Sequence, residues 1–237
     1  MHFLDRSSEA APACLADWKY PHDDWDSFTK QGKGCKKQLR RALQRLQSRQ
    51  IIDDSADDEM ECLFGLRCAY CEGQIYFGGH IDHFRRKNPN HSPELTFEWS
   101  NLFLACGSNR HCGHYKDRPN ASVYNPDELI KPDFHNPDDY LYFHSSGEVR
   151  VRNREGMTNA DRRRGAETIR VFYLDCGPLN GARHKALKQY LDRNTGILDA
   201  LMEFDEPDRR DFINQEIDAT KHDPYCTTIR HFFEKLS

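Results

Sequence analysis

Residues 68–116 read CAYCEGQIYFGGHIDHFRRKNPNHSPELTFEWSNLFLACGSNRHCGHYK, and this stretch decides the fold. Two cysteine pairs bracket it: Cys68 with Cys71, and Cys106 with Cys112. Zn²⁺ prefers four thiolate or imidazole ligands in a tetrahedron, and a C-x-x-C turn places two thiolates on one side of the ion. The wider second pair can close the other side. The spacing therefore predicts a structural zinc site, in which Cys62 or His111 could replace one ligand.

The alternative is that these cysteines are small buried core residues. The remaining five are expected to be core fillers: Cys14, Cys35, Cys62, Cys176 and Cys226. Nine cysteines with one C-x-x-C pair suit a reducing compartment and a metal better than a disulfide framework. No run approaches the roughly 18 apolar residues of a membrane helix, and no signal peptide is visible. We therefore expect a cytoplasmic protein.

Outside this stretch the pattern is mainly helical. Leu39, Leu43 and Leu46 recur at helical spacing and predict a helix over 35–50. Other helices are predicted at 56–66, from Cys112 to Pro119, from Thr158 to Tyr173, at 181–193 and 197–204, and from Pro207 and Pro224 onward. Hairpins are predicted at 74–77 with 80–83, and at 140–144 with 148–152. The predicted class is α+β, mostly helical, in three segments: 1–60, 61–122 and 123–237.

Basic residues concentrate around the first helix. No acidic residue lies between Ser27 and Ile52, and the interval carries Lys30, Lys33, Lys36, Lys37, Arg40, Arg41, Arg45 and Arg49. A helix with this charge could bind a nucleic-acid backbone, and Arg40, Arg41 and Arg45 are the candidate contacts. It could equally be a solvated amphipathic helix. The net charge of −4 shows that the whole chain is not a polycation.

Three motifs in the central stretch resemble the HNH nucleases of the ββα-metal class: HIDHF at 80–84, WSNLFLAC at 99–106 and CGHYK at 112–116. Their zinc-bearing members have flanking cysteines of this kind. More narrowly, residues 3–175 are similar to the HNH subunit of Septu and retron-associated anti-phage systems (PtuB-like proteins). The further similar segments are FLDRSSEAAPACLADW, NPDELIKPDFHNPDDYLYF and ADRRRGAETIRVFYLD.

This resemblance implies a metal-dependent endonuclease that hydrolyses nucleic-acid phosphodiester bonds in anti-phage defence. It implies a small zinc-bearing ββα-metal core flanked by N-terminal and C-terminal helices. It also implies an ATPase partner and, for retron members, a reverse transcriptase with its RNA–DNA product. The target stays open between DNA and RNA, including tRNA, because an attacking water needs no 2′-hydroxyl.

The chemistry assigns roles to the residues that carry the resemblance. Phosphodiester hydrolysis needs an activated water and a cation beside the developing negative charge. Asp82 is expected to bind Mg²⁺ or Mn²⁺, and His83 is expected to be the general base. Adjacent strand residues point to opposite faces, but a pair at the end of a strand can reach one cleft. Asn101 is expected to orient His83 and to pin the intervening loop by hydrogen bonds.

The second metal ligand is expected from the helix after Cys112. The family's usual position for it is Gly113 here, which has no side chain. His114 is therefore the candidate, and His111 is the alternative. Phosphate contacts are expected from Lys116, Arg85 and Arg86. Two other functions are compatible with the pattern: a zinc-bearing nucleic-acid-binding module without catalysis, and a subunit whose helical tail docks a partner.

Overall fold

The computed structural model describes residues 1–48, 65–75 and 79–236. Its strands form two antiparallel pairs: β1 (His80–His83) with β2 (Leu102–Ala105), and β3 (Leu141–Phe143) with β4 (Val149–Val151). The helices are α1 (Trp25–Gln31), α2 (Lys33–Gln47), α3 (Cys112–Lys116), α4 (Asn159–Phe172), α5 (Gly177–Arg193), α6 (Ile197–Glu203), α7 (Glu206–Thr220) and α8 (Cys226–Phe233). This confirms the α+β, mostly helical class.

Most predicted elements are present with shifted ends. Thr158 and Asp161 form the predicted capping box at the start of α4. α5 begins four residues earlier than expected, with Pro178 in its first turn, where a proline is tolerated. α8 begins at Cys226, two residues after Pro224, because Tyr225 has the left-handed backbone conformation (φ 60°). The 140–144/148–152 hairpin is confirmed as β3 and β4.

The strand at 80–83 is confirmed, but its partner in the described part of the chain is β2. His80 pairs with Ala105 and His83 with Leu102, so the hairpin encloses an 18-residue loop rather than the Gly78–Gly79 turn. Gln74 instead forms a bridge with Arg67. Residues 76–78 lie outside the described residues, as do Arg49, Cys62 and all but the last two residues of the predicted helix at 56–66.

Two hydrophobic clusters hold the described residues together. The larger one takes side chains from Met1 to Leu179 and includes all of β2 and the buried face of α2. Leu39 and Leu43 on that face are fully buried, which confirms the helical spacing. The smaller cluster lies among α5 to α8 and includes Ile213, Ile229 and Phe233. No helix in the described parts of the chain combines the length and apolarity needed to cross a bilayer.

The N-terminal residues are more ordered than expected. Trp18 and Trp25 pack on Phe28 and Phe97, as an anchored arm requires, and α1 begins already at Trp25. Cys14 and Cys35 form a disulfide between this arm and α2. The expectation that these two cysteines are core fillers is therefore wrong, because the arm folds back onto the start of α2. Cys176 and Cys226 are buried, as expected of core residues.

The last residue of α2 joins this helix to the sheet. Gln47 is 2% exposed; its Nε2 donates to the carbonyls of Arg67 and Leu104, and its Oε1 accepts from the Leu104 N–H. One amide therefore satisfies three buried backbone groups along β2 and the segment that leads to Cys68. Buried polar groups that lose their partner are costly.

We expect Gln47→Ala to lower the free energy of unfolding by about 1–3 kcal/mol, because it leaves these backbone groups without partners. Urea denaturation followed by circular dichroism measures the change. Gln44→Ala on the partly exposed part of the same helix is the matched control and should stay within about 0.5 kcal/mol of the wild type. Equal stability of the two variants would contradict the role of Gln47.

Candidate functional site

The four predicted cysteines meet at one point, although they come from three elements. Cys68 and Cys71 lie on a tight turn in which Glu72 N–H donates to the Cys68 carbonyl (3.1 Å) and Gly73 N–H to Cys71 Sγ (3.4 Å). Cys106 follows β2, and Cys112 is the first residue of α3. All four sulfurs lie within 4.8 Å of one another. This group is called the four-cysteine cluster below.

Without a bound cation, the electrostatics of the cluster allow one thiolate among neutral thiols. Burial raises the pKa of the Cys112 thiol well above its ordinary value, and a hydrogen bond with Cys106 does the same for Cys71. Cys68 is buried as well, yet hydrogen bonds from neighbouring thiols hold its pKa well below the ordinary value. One thiolate can thus be stabilised by the other thiols, but four thiolates need a positive ion between them.

Four thiol donors at this separation could hold a metal such as zinc, which fits the predicted ligand set of Cys68, Cys71, Cys106 and Cys112. Within residues 1–48, 65–75 and 79–236 no other group of metal-ligating side chains is as close. His111 lies beside the cluster, with its Nδ1 3.2 Å from Cys112 Sγ and 3.7 Å from Cys106 Sγ. It is therefore placed to hydrogen-bond the sulfurs rather than to replace one.

Asp82 is buried in a polar site and lies close to Gly113 of α3. Tyr70 donates a 2.5 Å hydrogen bond to its Oδ2, and Lys116 Nζ lies 3.6 Å from the same oxygen. Burial alone would raise the pKa of Asp82, but Lys116 together with hydrogen bonds from His80 and Tyr70 outweighs burial and holds the pKa below its ordinary value. The carboxylate is therefore charged at neutral pH.

The second oxygen of Asp82 faces the imidazole of His80, and His114 lies behind that ring. His80 Nε2 lies 3.7 Å from Oδ1, and the His80 ring stacks on the ring of His114 with 3.7 Å between centroids. His114 is exposed, whereas His80 Nδ1 is buried and has no hydrogen-bond partner among the described residues. Asp82, His80 and His114 thus form an oxygen–nitrogen group at the surface of β1 and α3, and we call it the Asp–His group.

Gly113 explains how α3 can lie so close to this group. A Cβ atom at that position would lie 2.7 Å from Asp82 Cγ and 2.9 Å from His80 Nε2, which no side chain tolerates. The close approach of α3 to β1 therefore leaves no room for a ligand side chain at Gly113. His114, the next residue, lies beside this group, with its ring stacked on that of His80.

His83 occupies a different face of β1 from Asp82, as adjacent strand residues do. Its Nε2 lies 3.0 Å from the Thr96 carbonyl, and its ring contacts Trp25 at 4.4 Å between centroids. A carbonyl only accepts, so Nε2 carries the proton and Nδ1 has the free lone pair. Burial, helped by Lys87, lowers the pKa of His83 to about 3, so the ring is neutral.

Asn101 holds the loop between β1 and β2. Its Nδ2 donates to the carbonyls of Arg85 and Leu95, each at 3.0 Å, and its Oδ1 accepts from Arg85 N–H at 2.7 Å. The predicted pinning of the loop is thus present. His83 instead donates its hydrogen bond to the Thr96 carbonyl inside the same loop, so Asn101 acts on His83 only through the loop backbone.

The predicted phosphate-binding residues are engaged with the protein. Lys116 is 1% exposed and donates to the His83 carbonyl and to Asp117. Arg85 pairs with Asp127, and Arg86 with Asp117 and the Lys116 carbonyl. In this structure Lys116 therefore balances buried charge and has no surface to offer a phosphate.

The basic face of α2 lines a groove of about 320 Å³ that includes Lys33, Lys36 and Arg41. Arg40 donates to the Gly79 carbonyl, and Arg45 forms an ion pair with Glu9. Two of the three candidate arginines therefore bind other parts of the protein: Arg45 binds the N-terminal arm, and Arg40 binds the residue before β1.

Two residues of the site were not predicted as functional. His80 is separated from Asp82 by one residue, and the alternation of a strand already places both on one face. Tyr70 lies inside the C-x-x-C turn, where no local pattern marks it as a partner of Asp82.

No protein-family model matches this chain, and no curated protein matches it, so the function rests on the residues themselves.

We expect Cys68→Ser to release the metal and to unfold the central stretch, since the four-cysteine cluster joins three elements across a long loop. Metal content per chain by mass spectrometry and thermal unfolding by circular dichroism measure the effect. Cys176→Ser, a buried cysteine away from the cluster, is the control and should keep its metal. Retention of about one zinc per chain in Cys68→Ser would rule out the cluster as a ligand set.

Proposed function

We propose that this protein is a metal-dependent HNH endonuclease, the effector of an anti-phage defence system that acts with an ATPase partner. The observation that carries the proposal is the Asp–His group. It places a charged, buried carboxylate and two imidazoles where β1 meets the start of α3, directly beside the four-cysteine cluster. The order strand, strand, short helix is the order that the ββα-metal class requires.

The donor chemistry of the Asp–His group suits a divalent ion. Asp82 Oδ1 would be the oxygen ligand, and the imidazoles of His114 and His80 would be the nitrogen ligands. Partial burial and the neighbouring His80 lower the pKa of His114, which keeps its ring neutral and able to bind a cation. A bound Mg²⁺ or Mn²⁺ would supply a positive charge for the phosphate oxygens.

His83 would act as the general base. Its Nε2–H bond to Thr96 fixes the tautomer and leaves the lone pair on Nδ1. The pKa of about 3 makes this nitrogen a weak base, and the negative charge of a bound phosphate would raise that pKa. The ring of Trp25 contacts the imidazole, and Asn101 fixes the loop beside it by hydrogen bonds. Both keep the imidazole in one orientation. A nucleic-acid substrate would have to bring the water to this nitrogen, because His83 is 4% exposed.

One observation favours a second candidate function, a nucleic-acid-binding module without catalysis. Lys116 already faces Asp82, at 3.6 Å, and Asp82 and Asp117 raise its pKa despite its burial. The carboxylate is thus partly neutralised by a protein cation. Both functions need the four-cysteine cluster, but only the nuclease needs a second divalent ion at Asp82.

Cleavage of DNA, bulk RNA and tRNA, with and without the ATPase partner, separates the two functions. We expect His83→Ala to keep fold, zinc and substrate binding, and to lower the cleavage rate by roughly 10²–10⁴-fold. Asp82→Ala should instead shift the response to Mg²⁺ or Mn²⁺ concentration, because it removes a ligand. His114→Ala should resemble Asp82→Ala.

His184→Ala, an exposed histidine on α5, is the control and should cleave like the wild type. Full cleavage by His83→Ala would eliminate the mechanism. A normal metal response in His114→Ala would move the second ligand to His80. Nucleic-acid binding without cleavage under all conditions would favour the non-catalytic module.

A further inference from the structure

A stacked group of side chains lies next to His114 on the surface. The rings of Tyr115 and Tyr173 are nearly parallel (16°), with centroids 4.8 Å apart. The guanidinium of Arg118 lies 3.5 Å from the centroid of Tyr115. Tyr173 is 45% exposed, so one end of this stack is open to solvent. We call Tyr115, Tyr173 and Arg118 the aromatic platform.

The backbone of Tyr173 is unusual for a tyrosine. It ends α4 in the left-handed conformation (φ 50°, ψ 49°), where helices usually have glycine or asparagine. A large side chain is disfavoured there, and such residues cluster at functional sites. In this conformation the ring of Tyr173 packs against Tyr115 of α3, a contact that a glycine could not make.

The charge of the aromatic platform is not neutralised. Among the residues that the structure describes, Arg118 has no carboxylate within 4 Å, and one of its N–H groups donates to the Tyr115 carbonyl at 2.6 Å. Arg170, at the end of α4, pairs with Glu167. Arg118 therefore presents a free positive charge to an anion that approaches α3.

The position of the aromatic platform connects it with the Asp–His group. Tyr115 directly follows His114 in α3, and Arg118 lies one turn further on. Aromatic rings stack with exposed nucleobases irrespective of sequence, and an arginine beside them attracts the phosphate backbone. The bases of a duplex already stack on one another and cannot use such a surface.

We infer that the aromatic platform binds an unpaired nucleobase of a single-stranded nucleic acid, by stacking on the open face of Tyr173. Arg118 binds the backbone of the same strand. This inference rests on the proposed function and names its substrate class: unpaired segments, in single strands or in loops, positioned along α3 beside His114.

The test is the affinity for a fluorescein-labelled single-stranded 20-mer and for the same sequence as a blunt duplex. Fluorescence anisotropy is measured at fixed salt without added Mg²⁺ or Mn²⁺, so that cleavage plays no part. We expect the single strand to bind more tightly than the duplex. Tyr173→Ala should weaken single-strand binding about 5- to 100-fold, the loss of one base–aromatic stack, and leave duplex binding unchanged.

Two further variants separate stacking from structure. Tyr173→Phe keeps the ring and should bind like the wild type, whereas Arg118→Gln should weaken binding and reduce its salt dependence. Tyr20→Ala, a tyrosine with the same 45% exposure elsewhere on the surface, is the matched control and should bind normally. Thermal unfolding of each variant shows whether the fold is kept.

The inference is overturned if Tyr173→Ala binds the single strand like the wild type, or loses single-strand and duplex binding equally. Such a result with cleavage intact would leave the proposed nuclease standing. Conversely, the protein could prefer single strands in a Tyr173-dependent way and cleave no nucleic acid. This result would support nucleobase binding by the aromatic platform and contradict the proposed nuclease activity.

Discussion

Four sulfurs within 4.8 Å of one another are the constraint on which the site depends. They bring together the turn at 68–71, the end of β2 and the start of α3, which belong to three different segments of the chain. α3 is only five residues long, too short to be stable by itself. Its position against β1 is therefore set by Cys112, and that position brings Gly113 to Asp82.

The C-terminal helices support the same turn from outside. Tyr225 N–H donates to the Glu72 carbonyl at 3.2 Å, and Thr227 N–H, in the first turn of α8, to the Glu72 carboxylate at 3.3 Å. The positive end of a helix stabilises an anion at this point. The start of α8 thus helps to hold the first cysteine pair. It is a scaffold for the site and not a separate appendage.

Local sequence signals predicted what depends on local physics. The C-x-x-C turn, the leucines of α2 and the capping box of α4 all came from short spacings, and the structure contains each of them. The partner of β1 could not be found this way, because β2 pairs with it across an 18-residue loop and a Gly-Gly dipeptide offered a closer alternative. The roles of Lys116 and of the Cys14–Cys35 disulfide depend on long-range packing, which no spacing records.

The two oxygens of Asp82 face different environments. Oδ2 accepts from Tyr70 and faces Lys116, while Oδ1 faces His80 and the backbone of α3. Oδ2 therefore makes contacts that stabilise the protein, whereas Oδ1 is the oxygen that could bind a ligand. Under the proposed function, a divalent ion would find one carboxylate oxygen here, beside the imidazole nitrogens of the Asp–His group. Selectivity between metals would then depend on how readily each ion exchanges water for imidazole nitrogen.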